Sequence, residues 1–100
     1  MPEQWSELWE ERFSSEDYAY GTEPNAWIRE VLEGISPGAA LFAGEGEGRN
    51  AVWAAEQGWQ AKAFDLTHAG REKALRLAAA RGVDIDYWVQ DIIDLDPFEY

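Results

Sequence analysis

Residues 39–65, AALFAGEGEGRNAVWAAEQGWQAKAFD, decide how this chain folds. A five-residue apolar run, Ala39 to Ala43, lies between Gly38 and Gly44, short enough to be a buried strand and too short for a helix. The glycine-rich turn Gly44-Glu45-Gly46-Glu47-Gly48 follows and leads into a helix over Arg49 to Gln57, with Gly58 in the C′ position. Gln60 to Phe64 is a second strand, closed by Asp65. Strand, glycine turn, helix and strand in this order make a βαβ unit with a parallel sheet.

Working outward, Thr67 can cap a further helix running to Arg81, with Leu77 and Ala78 inward and Glu72 and Arg76 placed to pair at i,i+4. Gly82 ends it, and Ile85 to Gln90 is a third strand. Upstream, Trp5, Leu8, Trp9 and Phe13 fall at helical spacing, and residues 14–23 are polar and read as a loop. A second helix spans about Pro24 to Glu33, with Trp27, Ile28, Val31 and Leu32 on one face, stopped by Gly34 and Pro37. Trp27, Trp53 and Trp59 are expected to serve packing. The fold class is α/β, a Rossmann-like three-layer α/β/α arrangement on a parallel sheet. Residues 1–36 are read as N-terminal helices and 37–100 as a βαβαβ unit of one domain. Three parallel strands leave edges and one face uncovered, so the expectation is the front half of a larger domain, or a half that pairs as a homodimer.

The 100 residues carry twenty acids against eight bases, a net charge of −12. Residues 1–33 hold nine acids and two bases, and residues 83–100 hold six acids and no base. Binding a phosphate backbone depends on Lys and Arg, so no nucleic-acid partner is expected. No apolar run reaches the roughly 20 residues that cross a bilayer, so no membrane span is expected either. The absence of cysteine removes disulfides, thiolate metal sites and thiol nucleophiles, and a cytoplasmic location fits best. The acids Asp91, Asp94 and Asp96 lack the placed partners a metal site requires.

In a βαβ unit the turn after the first strand lies at the carboxyl end of the sheet, where ligands bind. An acid ending the second strand, here Asp65, can accept both hydroxyls of a ribose. Gly46-x-Gly48-x-x-Ala51 with Asp65 about 20 residues on formally satisfies the dinucleotide pattern. A pyrophosphate on this turn would meet Glu45 and Glu47, with Arg49 to offset one of them. A nucleoside ligand bearing a sulfonium and an ammonium, and no phosphate, suits an acidic turn better, and S-adenosyl-L-methionine is such a ligand.

The stretch Ala40 to Ala61, ALFAGEGEGRNAVWAAEQGWQA, resembles the first motif of class I S-adenosylmethionine-dependent methyltransferases. Its GEGRNA core, with Tyr20-Gly21-Thr22-Glu23-Pro24-Asn25 upstream, is similar to the small-molecule branch that includes tellurite-resistance and thiopurine-type methyltransferases. The likeness runs from Trp9 to about Asp96 and implies an enzyme that moves a methyl group to a small molecule, this chain supplying its cofactor-binding half. By that resemblance Gly44, Glu45, Gly46 and Gly48 line the methionine part, Asp65 holds the ribose and Leu66 lies against the adenine. Asp91 accepts from the adenine amino group, and the backbone of Ile92 reaches a ring nitrogen. Trp9, Phe13 and Tyr20 match aromatic positions that cover the cofactor. The chain departs from the family at Phe42, where an acid usually helps hold the methionine ammonium; Glu45 is the carboxylate available to replace it. No catalytic residue is assigned, since His68, the only histidine, reads as a helix-start loop residue. Two other classes stand beside this one: a non-catalytic module that binds a nucleoside or dimerises through its open sheet edge, and an NAD-binding oxidoreductase domain, which the acidic turn disfavours.

Overall fold

The apolar run between Gly38 and Gly44 is strand β1 (Ala39–Ala43), and every later element follows the alternation that it begins. The computed structural model describes residues 3–14, 18 and 21–90. Helix α1 (Glu3–Phe13) and helix α2 (Ala26–Glu33) precede β1; helix α3 (Arg49–Glu56), strand β2 (Gln60–Asp65), helix α4 (His68–Ala80) and strand β3 (Asp86–Val89) follow it. The sheet order is β1-β2-β3, parallel throughout. This is a Rossmann-like α/β fold.

Local chemistry sets the element ends. Asn25, not Pro24, begins α2: its side chain accepts the amides of Trp27 at 2.9 Å and Ile28 at 3.2 Å, supplying partners the first helical turn lacks. Thr67 caps α4 by accepting the amide of Gly70 at 3.0 Å. The third strand is shorter than Ile85 to Gln90: the register on β2 pairs Asp86 to Val89, and the Gln90 amide closes it by donating to the Asp65 carbonyl at 2.8 Å. Glu72 and Arg76 do not pair with each other; both are exposed.

The register aligns Phe42 with Ala63 and Ala63 with Tyr87 across the three strands. These side chains share one face, and Ala51 of α3 and Ala74 of α4 close on them to form the main core. Both crossover helices lie on this face, as right-handed crossovers along one direction of the sheet require. On the opposite face Phe64 stacks on Trp88, with centroids 5.5 Å apart. Helix α2 buries none of its residues: Trp27 is 70% exposed and Val31 is also open, so the packing expected of Trp27 is absent. Its apolar stripe is real but only partly covered: Ile28 and Leu32 are half-buried, while Trp27 and Val31 stay open. Trp53, by contrast, is buried, and Trp59 half-buried.

Two glycines bring α4 against the turn after β1. Gly48 has φ +90°, and a Cβ there would lie 2.5 Å from the Cβ of Ala74. At Gly70 a Cβ would lie 2.8 Å from the carbonyl oxygen of Gly46. Neither position has room for a side chain, so the first turns of α4 sit directly on the glycine turn.

Candidate functional site

The turn 44–48 stands at the carboxyl ends of β1 and β2, as expected from the sequence, and hydrogen bonds fix it from several sides. The amide of Glu45 donates to the carbonyl of Phe64 at 3.1 Å, continuing the β1–β2 pairing into the turn. The amide of Gly46 donates to Oδ2 of Asp65, while Oδ1 of Asp65 accepts the amide of Leu66 at 2.6 Å. The hydroxyl of Tyr87, on β3, donates to the carbonyl of Gly46. Residues from β2 and β3 therefore converge on Gly46, in the turn that follows β1. Burial, with the carboxylates of Asp65, Glu45 and Glu47 adding to it, raises the pKa of the Tyr87 phenol, which stays a donor at neutral pH.

The two glutamates of the turn do not face outward. Oε1 of Glu45 accepts the amides of Asn50 at 2.8 Å and Ala51 at 3.1 Å, the donors that the N-terminus of α3 would offer an anion. Burial drives the Glu45 carboxyl up to about 7, against the lowering effect of those amides and of Arg49. Glu47, read from the sequence as one of two outward charges, is buried and paired with the ammonium of Lys73 on α4 at 2.6 Å. Its like-charge repulsion of a pyrophosphate is thus cancelled by Lys73. A different obstacle takes its place, since the α3 amides that would hold a phosphate already hold Glu45.

Helix α1 lies over this turn. Phe13 is 4% exposed, and its Cζ comes within 3.3 Å of where a Cβ on Gly46 would stand, with Oδ2 of Asp65 3.7 Å from the same point. Trp9 packs on Phe13, with centroids 5.3 Å apart, and the Arg12 guanidinium lies 5.2 Å above the Trp9 ring. Of the residues the resemblance implies, Gly44, Glu45, Gly46, Gly48, Asp65, Leu66, Phe13 and Trp9 thus belong to or border one turn. Tyr20, Asp91 and Ile92 lie outside the described residues. Phe42 packs against the core of the helix-covered face. His68 is exposed at the start of α4.

Three residues that the sequence reading did not single out shape the site. Lys73 neutralises Glu47, and its carbonyl accepts the Tyr18 hydroxyl at 3.1 Å, with that ring 5.3 Å from the ammonium. Asn50 accepts the amide of Asn25 at 2.7 Å, tying the α2 cap to the start of α3. Glu10 of α1 reaches the start of α4. A lysine on the inward side of a helix, at the i,i+4 spacing from Leu77, is the one sequence signal that could have marked Lys73.

No protein-family model matches the chain, and no curated protein matches it. Among solved structures it is similar to one reported as "Conversion of a Disulfide Bond into a Thioacetal Group during Echinomycin Biosynthesis", at a TM-score of 0.79 and 22% identity. That match covers 93% of this chain and 42% of the other, so the chain spans less than half the length of its structural neighbour. At this identity the match establishes the shared Rossmann-like fold. Among the described residues, no helix is long and apolar enough to cross a membrane.

Proposed function

We propose that this chain holds S-adenosyl-L-methionine and forms the cofactor-binding part of a methyltransferase acting on a small molecule. The observation that carries the reading is the meeting of Asp65 and Gly46: the acid ending β2 and the glycine turn after β1 are joined by a hydrogen bond at the carboxyl edge of the sheet. The residues fit a nucleoside without a phosphate. The Asp65 carboxylate has four lone-pair sites and spends two on Gly46 and Leu66, leaving acceptors for ribose hydroxyls. The Asn50 and Ala51 amides at the start of α3 are closed to a phosphate by Glu45.

When bound, the cofactor supplies an electrophilic methyl on a sulfonium. This chain's part is to hold the donor in line and to exclude water, with α1 and its aromatics as the cover. A soft acceptor needs no base, so the proposal does not require a His or carboxylate dyad. Among the described residues β1 pairs with β2 alone, and Ala39, Leu41 and Ala43 are exposed. On this reading residues 1–100 are the cofactor-holding part of a larger sheet, and the acceptor pocket is built by what joins at β1.

Calorimetric titration with S-adenosylhomocysteine tests the proposal. Saturable binding that Asp65→Ala weakens about tenfold or more, the cost of a hydrogen-bonded charge, supports it. Binding that Asp65→Ala leaves unchanged, or binding of NADH in its place, overturns it.

A further inference from the structure

Helix α4 begins with an arrangement that local sequence does not supply. The Thr67 side chain satisfies only the Gly70 amide. The two amides before it, of His68 and Ala69, donate to the Glu10 carboxylate at 3.1 and 2.6 Å, across 58 and 59 residues of chain. A carboxylate on the first amides of a helix is favoured both by unfilled donors and by the helix dipole. Glu10 lies one turn before Phe13 on α1, so the same face of the helix that grips α4 also sets the Phe13 ring. That ring and the Asp65 carboxylate flank one point above Gly46, at 3.3 and 3.7 Å. A ligand that reaches Gly46 at this point, beside Asp65, meets the ring edge.

We propose that Glu10 is the latch of a gate: its grip on the start of α4 holds α1 down, with Phe13 seated on Gly46 beside Asp65, and ligand access requires that grip to be released. The inference rests on the function proposed above for where the ligand sits, but the latch itself is a property of the free protein. The charged carboxylate matters because two charge-assisted bonds to backbone amides are stronger than the neutral bonds of an amide side chain. Exposed Glu11, the next residue on the helix, offers a control that removes the same charge without touching the latch.

Two measurements test it on Glu10→Gln, with Glu11→Gln as the reference. In hydrogen exchange of the free protein, the His68 and Ala69 amides of Glu10→Gln should exchange about tenfold faster, while the β2 amides of Ala63 and Phe64 report that the fold is intact. In stopped-flow tryptophan fluorescence, S-adenosylhomocysteine should associate faster with Glu10→Gln by a similar factor of about ten, since the open population rises as the latch weakens. Unchanged exchange at His68 and Ala69 overturns the latch. Faster exchange with an unchanged association rate overturns the gate. If S-adenosylhomocysteine binds neither variant nor the parent protein, the proposed function falls, and the exchange measurement still decides the latch.

Discussion

The ammonium of Lys73 lies 2.6 Å from the carboxylate of Glu47, and both side chains are all but excluded from solvent, at 3% and 4% exposure. This pair ties the glycine turn to α4, as Glu10 ties α1 to α4. A buried charge deprived of its partner is expensive, whereas an apolar pair of similar volume is not. Lys73→Met should therefore lower stability by about 3–5 kcal/mol in urea unfolding, and the double variant Lys73→Met/Glu47→Leu should recover most of that loss.

Gly48 offers a sharper steric test. Alanine there would place a Cβ 2.5 Å from that of Ala74, on a backbone at φ +90°. Overpacking costs about 1–3 kcal/mol and the left-handed conformation about 1–2 kcal/mol, for a combined loss of about 2–5 kcal/mol. Gly58, at φ +95° with no atom nearer than 3.9 Å, should lose only the conformational part on the same substitution. Parallel thermal or urea unfolding of the two variants distinguishes the contributions.

Glu45 makes stability depend on pH. Its carboxyl titrates at about 7 in the folded chain against an ordinary value of 4.5, so the folded state holds a proton that the unfolded state has released between those values. Stability is accordingly greatest below pH 4.5 as far as this group is concerned, falls as pH rises to about 7, and is level beyond, a loss on the order of 3 kcal/mol. Glu45→Gln keeps an oxygen for the Asn50 and Ala51 amides and should flatten this part of the unfolding free energy against pH. The same variant tests whether Glu45 stands in for the acid missing at Phe42: unchanged affinity for S-adenosylhomocysteine would rule that out.

The two tryptophans at 27 and 53 should behave oppositely. Trp27 is 70% exposed, and Trp27→Ala should change stability by no more than about 0.5 kcal/mol. Trp53 is 7% exposed on α3, and Trp53→Ala should cost about 3–5 kcal/mol. Denaturant titration of both variants checks the contrast.

These residues also show where a linear reading succeeds and where it stops. β1, the glycine turn and β2 were legible because each is punctuated locally, by Gly38, Gly44, Gly58 and Asp65. Thr67 was legible as a cap because its partner is three residues away. Trp27 was misassigned because periodicity reveals that a helix has an apolar face but not what lies opposite it. Glu47 was misassigned because its partner is 26 residues distant, and a charge is solvated or buried according to that partner. Glu10, whose bonds span almost sixty residues, carries no local mark at all.

The central claim is that one ligand site lies between the glycine turn and the end of β2. Two-dimensional amide NMR of the chain titrated with S-adenosylhomocysteine tests it most directly. The account predicts saturable shifts in the amides of Gly44 to Gly48, Asp65 and Leu66, with the Gly46 amide, held by Asp65, among the largest. Saturable shifts that leave those amides still, or a response of the same amides to NADH alone, would contradict it.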